Sequence, residues 1–221
     1  MDLSKSLEYF DPLNQVDGAI HVIGVGAMGS RIAELLVRLG VTKIHIWDMD
    51  TVEAKNIANQ IYFHNMIGKP KVDALGVILK NINPDVTVYK HGAYTNQNLS
   101  GYIFLCVDNI ELRHKIATDN VDNIYIKAMF DTRMRLEDAQ SYAAKWDDDY
   151  QKKTFISSMD FTHEEAVAAT PVSACGTTLS VASTVVSTAA ITVSNFINLI
   201  RKGECNSMLF IDAFNYTLTK F

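Results

Sequence analysis

Residues 21–50 read HVIGVGAMGSRIAELLVRLGVTKIHIWDMD. Residues 21–25 are a short apolar run, the pattern of a parallel strand buried on both faces. Gly24, Gly26 and Gly29 stand within and after it in the spacing G-x-G-x-x-G. Ile32, Leu35, Leu36 and Leu39 recur at helical spacing until Gly40, a residue suited to a helix end. Residues 43–47 form a second strand that runs into Asp48 and Asp50. Strand, glycines, helix, strand and acid in that order predict a β-α-β unit that holds a nucleotide. Gly24 permits the tight turn, Gly26 leaves room for phosphate at the backbone, and Gly29 lets helix close on strand. The helix N-terminus offers free N–H groups and the positive end of its dipole to phosphate. Asp48, about 20 residues past the last glycine, is placed to bind a ribose. Asp50 is a second acid at the same strand end, with capping of the next loop as its alternative role.

Residues 1–20 read as an N-terminal arm with turn signals at Phe10-Asp11-Pro12 and Asp17-Gly18. Residues 51–70 read as a polar loop with short helical turns, and a loop of that length in a compact domain usually serves function. Pro70 suits a first helical turn, and residues 71–82 carry Val72, Leu75, Leu79 and Ile82 at helical spacing before Asn83-Pro84-Asp85 ends the run. Strands are expected at 86–90, 101–107, 123–130 and 139–145, and a helix at 110–121. Asp108 and Asn109 follow the apolar strand 101–107, at the carboxyl end where open α/β sheets collect ligand groups. The nucleotide-binding half thus spans 21–145. Residues 146–170, dense in charge with scattered aromatics, read as a crossover loop with one short helix, able to cover the site as a lid. Residues 171–221 read as a long Ser/Thr-rich helix and a closing strand or hairpin. The expected fold is one α/β domain over 1–221: a Rossmann-like, mostly parallel sheet with flanking helices, extended by a C-terminal strand and helix portion.

Composition narrows the partners. A hydrophobic content of 48% sustains a packed core in a chain of 221 residues. A net charge of −5 with no basic runs argues against nucleic acid. The three cysteines, Cys106, Cys175 and Cys205, form no C-x-x-C pair, which excludes a four-cysteine site, and no zinc is expected. The six histidines show no metal-ligand spacing. An odd cysteine count without an export signal points to a reducing cytosol. Residues 177–200 carry no charge and are long enough to span a bilayer. Their many hydroxyls and amides instead predict a helix buried in the protein or at a subunit interface, and no membrane.

Taken together, G-x-G-x-x-G-S, the D-x-D of Asp48 and Asp50, the N-x-x-x-Q of Asn56 and Gln60, the I-G-K-P-K ending in Lys71, and the strand-end pair Asp108-Asn109 resemble the ThiF/MoeB/HesA family. Its members are adenylyltransferases built like ubiquitin-activating enzymes. The likeness is dense over residues 20–115 and one of layout beyond. The compact form is most similar to ThiF-domain proteins of phages and bacterial accessory operons, which implies a bacterial or phage-infected cytosol. The resemblance implies that Gly24, Gly26 and Gly29 line the phosphates of ATP and that Asp48 binds the ribose. Asn56 and Gln60 would lie beside the phosphates, Lys71 would neutralise their charge, Asp108 would hold Mg2+, and Asn109 would support the nucleotide. It further implies a homodimer that adenylates the C-terminal carboxylate of a ubiquitin-like protein or peptide. The chemistry asks for such a set: two anions must meet, so a cation, a metal-holding carboxylate and backbone N–H donors are all needed.

Two positions depart from the family pattern. Asn59 stands where N-x-x-R-Q has arginine, and an amide offsets no charge. No arginine precedes Arg31, although the family usually lends one from its N-terminus to the partner subunit. Lys5, Lys69, Arg113, Arg133 and Arg135 are the candidates to replace them. Cys175, before Gly176 and the long helix, is a candidate thioester nucleophile, with a small buried residue as the commoner role of a lone cysteine. Cys106 is expected in the core and Cys205 on a surface loop. Two alternatives stay open: a nicotinamide-dependent oxidoreductase with Asp48 selecting NAD, and a catalytically inactive nucleotide-binding scaffold, which the missing arginine favours.

Overall fold

The computed structural model describes residues 1–168 and 179–221. The predicted unit is present as β1 (Ile20–Ile23), α2 (Ala27–Arg38) and β2 (Lys43–Trp47), preceded by a short helix α1 (Pro12–Gln15). Two 3-10 turns, Ala54–Ala58 and His64–Met66, lead to α3 (Lys71–Ile82). Then follow β3 (Thr87–His91), β4 (Gly101–Leu105), α4 (Ile110–Asp119), β5 (Ile126–Met134) and β6 (Asp138–Lys145). After α5 (Asp149–Ser157), α6 (His163–Ala168) and α7 (Ala182–Lys202), the hairpin β7 (Met208–Asp212) and β8 (Thr217–Lys220) closes the order.

The eight strands form one sheet in the order β3-β2-β1-β4-β5-β6-β7-β8. β3, β2, β1, β4 and β5 are mutually parallel, and β6, β7 and β8 are antiparallel additions. The chain builds outward from β1 to β3, then restarts with β4 on the other side of β1. The topological switch point therefore lies between β1 and β4, where open α/β sheets open a crevice for ligands.

Each face has its own apolar layer. One buries Val22, Ile32, Leu36, Ile44, Leu75, Phe104, Phe130 and Phe196, and includes residues of α2, α3 and α7. The other buries Ile23, Trp47, Ile103, Leu105, Ile116, Met129, Trp146 and Phe155, and includes residues of α4 and α5. The N-terminal arm joins the first layer, because Phe10 is buried edge-on to Phe196. α7 is the one described helix long and apolar enough to cross a membrane. Its hydroxyl and amide face is spent within the protein: Thr184 donates to the Leu136 carbonyl, Thr192 pairs with Ser141, and Asn195 brackets the backbone of Asn206. Buried polar groups need such partners, and here they have them.

The segment 146–170 departs from the expectation of a lid loop with one short helix. Through residue 168 it holds two helices, and its first half is anchored. Asp148 caps α5 by accepting from Tyr150 and Gln151, and the Trp146 indole donates to the Asn120 carbonyl at 2.7 Å. Trp146, Phe155 and Met159 are buried. The acidic run that reads as solvated loop is a helix cap, and the aromatics beside it are core.

Candidate functional site

The G-x-G-x-x-G turn sits at the carboxyl end of β1, and its three glycines differ in their surroundings. Gly24 has φ +88°, and a Cβ there would lie 2.6 Å from the Val107 amide nitrogen. The turn is therefore wedged against the strand end that carries Asp108. A Cβ on Gly29 would lie 1.9 Å from the Gly24 carbonyl oxygen, so helix and turn touch backbone to backbone. At Gly26, the first cap of α2, the nearest atom to such a Cβ is Gln60 Nε2 at 3.9 Å. Space opens at the middle glycine, beside the free N–H groups of a helix start, where a phosphate oxygen fits.

The acids at the end of β2 are built into this turn. Asp48 accepts from the Val25 amide at 2.8 Å and from the Asp50 amide at 2.9 Å, one bond to each oxygen. Its carboxylate thus shapes the turn and keeps acceptor capacity for a ribose hydroxyl. Asp50 does not cap the following loop. Its carboxylate holds the Lys71 amine at 2.8 Å, and its carbonyl accepts from the Lys71 amide. The Glu53 side chain caps the 3-10 turn instead, in a reciprocal box with Asn56. Lys71 is buried along its length and emerges only at Asp50, which is 59% exposed.

The loop 51–70 is closed at its base by a Thr51–Pro70 bridge, so its contents are held over the turn. Gln60 reaches Gly26 from it, and its Oε1 is buried with no hydrogen-bond partner among the described residues. Its Nε2, the atom nearest the open glycine, is the donor able to meet a phosphate oxygen there. Tyr62, which sequence reasoning passed over, donates its hydroxyl to the Val25 carbonyl at 2.7 Å from a buried position. Burial, with Asp48 and Asp50 nearby, pushes its phenol far above the usual range. Its only sequence signal is an aromatic two residues past Gln60.

On the other side of the switch point, Asp108 is exposed and its carboxylate has no partner among the described residues. Asn109 caps α4, accepting from the Leu112 amide at 2.9 Å. Asp108 fits a magnesium ion, which typically takes one or two protein carboxylates and completes its shell with phosphate and water. Among the described residues no group of three or more His, Cys, Asp or Glu converges as a metal cage.

Two replacement arginines are placed elsewhere. Arg113 and Arg133 both bind Asp131, fully buried on the interior strand β5, so both guanidinium groups are committed there rather than to the phosphate position. Cys106 lies just past β4, where burial pushes its thiol up to about 12 and Thr132 donates to its sulfur. Cys205 lies in the loop between α7 and β7, as expected, but is half-buried there, with its thiol pushed up to about 11, mainly by burial. Both are poor nucleophiles at neutral pH. Cys175 lies outside the described residues.

The sheet order, the glycine turn at the switch point and the acids around it define a Rossmann-like α/β protein of the nucleotide-binding type. The chain belongs to the ThiF family, whose model matches residues 13–221. It is 36% identical over 118 residues to the ubiquitin-like modifier-activating enzyme 5 of Bombyx mori, covering 45% of this chain and 30% of that protein. The protein of the same name from Oryza sativa subsp. japonica is 41% identical over 73 residues, 33% of this chain and 17% of that one. The chain thus spans less than a third of these relatives. Among solved structures, E. coli MccB with ATP superposes with a TM-score of 0.68 at 14% identity, over 94% of this chain and 64% of that one. PaaA gives 0.67 at 18% identity, over 94% and 64%. At such identities these two share the fold.

Proposed function

We propose that the protein is an ATP-dependent adenylyltransferase that activates the C-terminal carboxylate of a ubiquitin-like protein or peptide. The observation that carries this reading is the open space at Gly26, where the atom nearest to an added Cβ is the donor Gln60 Nε2 at 3.9 Å, at the switch point of the sheet. In the reaction the carboxylate oxygen attacks the α-phosphorus, an acyl–adenylate bond forms, and the bond to pyrophosphate breaks. No side-chain nucleophile is required. The amides at the start of α2 and Gln60 Nε2 stabilise the phosphate oxygens, Asp48 orients the nucleoside, and Lys71, released from Asp50, offsets charge. Asp108 would hold Mg2+, which supplies Lewis-acid polarisation of the phosphates.

Relatives named as ubiquitin-like modifier-activating enzymes, and MccB solved with MccA, support a protein or peptide tail as substrate. A homodimer working in the cytosol completes the reading, and analytical ultracentrifugation tests the assembly. A scaffold that binds nucleotide without turnover is the second reading. It is favoured by Asn59 together with the commitment of Arg113 and Arg133 to Asp131. ATP–pyrophosphate exchange in the presence of ubiquitin-like proteins and peptides with free C-termini separates the two. Adenylation predicts partner-dependent exchange lost in Asp108→Ala; ATP binding with no exchange for any partner supports the scaffold.

A further inference from the structure

The Arg113, Asp131 and Arg133 cluster does something other than contact nucleotide. Arg113 is 7% exposed on α4. Its Nε donates to the Val107 carbonyl at 2.6 Å, Nη2 donates to the same carbonyl, and Nη1 donates to the Thr132 carbonyl at 2.6 Å and to Asp131. Asp131 gives its second oxygen to Arg133 Nε at 2.6 Å. Arg133 then donates to the carbonyl and hydroxyl of Ser158 at the end of α5, with its guanidinium 4.4 Å from the Tyr142 ring centre. Burying three charges costs several kcal/mol per ion unless every group is paired. Here every guanidinium nitrogen has a partner, and two of Arg113's four side-chain bonds end on one carbonyl.

That carbonyl belongs to the peptide joining Val107 to Asp108. On the other flank, Asn109 is fixed as the cap of α4, and its carbonyl accepts from the Arg113 amide at 3.3 Å. Asp108 is therefore clamped at the backbone on both sides while its carboxylate stays free. We propose that Arg113 is a positioning residue that aims Asp108 at the metal, with Asp131 orienting the guanidinium and Arg133 tying the clamp to the end of α5. This inference rests on the adenylyltransferase reading, since it gives Asp108 its task.

The test uses the full chain and Mn2+ as the metal probe. Arg113→Lys keeps the charge but loses the fork. Outer-shell partners typically cost 10–100-fold in metal affinity when changed, so Mn2+ binding to the ATP complex, read by electron paramagnetic resonance, should weaken about 10-fold or more. ATP affinity in chelator should hold. Amide exchange at residues 107–109 without nucleotide should speed up, while that of the Gly24–Gly29 turn should not. Adding Arg113→Lys to Asp108→Asn should cost no further Mn2+ affinity. If Arg113→Lys does not fold, Asp131→Asn, which keeps the shape of the hub, is expected to give the same pattern. Unchanged Mn2+ affinity in the Arg113 or Asp131 variant, with Asp108→Asn weakened, overturns the positioning role and leaves the function standing. No ATP binding by the wild type, or no effect of Asp108→Asn, overturns the function and the positioning role with it.

Discussion

Alanine at Gly26 and at Gly29 should produce different defects. At Gly29 the new Cβ would sit 1.9 Å from the Gly24 carbonyl oxygen and 3.0 Å from Val22 Cγ1. Neither neighbour is the end of a flexible chain, so α2 must move off β1. Overpacking of this kind costs about 3 kcal/mol, and at about 2–4 °C per kcal/mol for this chain length the melting point should fall by roughly 6–12 °C. At Gly26 the nearest neighbour is 3.9 Å away, and the backbone at φ −72°, ψ −141° lies outside the regions that L residues favour. The stability cost should be backbone strain of about 1–3 kcal/mol with no steric clash. The methyl would instead fill the space given to phosphate. Losing one hydrogen bond to a charged group costs about 1.5–3 kcal/mol, or roughly 10–100-fold in ATP dissociation constant. Thermal melts and calorimetric ATP titration of both variants give the two numbers. If Gly26→Ala binds ATP within about twofold of the wild type, the phosphate cradle is misplaced.

Tyr62→Phe leaves the Val25 carbonyl without its donor, so stability should drop by about 1–3 kcal/mol; thermal melts check it, and a change under about 1 °C contradicts the role given to this hydroxyl. The protein should also lose stability in mild acid. Burial, helped by His45 and His91, lowers the His21 pKa to about 3, and burial lowers His45 and His91 as well. Below pH about 6.5 the unfolded chain takes up protons that the folded His21 refuses, so its contribution is present above that pH and fades on acidification, by up to about 1.4 kcal/mol per pH unit. Urea unfolding at pH 7.5 and 5.5 should show this slope, and His21→Gln should flatten it.

The glycine unit was legible because each of its periodicities ends on a residue that can only end it. Residues 71–82 emerged as α3 over the same span, set between Pro70 and Asn83-Pro84. What sequence could not show was pairing across distance. Arg113 reads as a free cation until β5 brings Asp131, 18 residues away, against it. His21, His45 and His91 stand on three strands whose register is invisible in sequence. In the sheet His21 and His45 stack with ring centres 4.4 Å apart, and His45 faces His91 nitrogen to nitrogen at 3.1 Å. Asp148 misled in another way, since an acidic run looks solvated whether or not it caps a helix. Lys71 is visible in its motif, but its pairing with Asp50 depends on the bend after β2.

Calorimetric titration of the wild-type protein with ATP, with and without Mg2+, beside the same titration with NAD, tests the central claim most directly. The account predicts ATP binding that Mg2+ strengthens, with that strengthening absent in Asp108→Ala, and no comparable affinity for NAD. Tight binding of NAD without binding of ATP would contradict it.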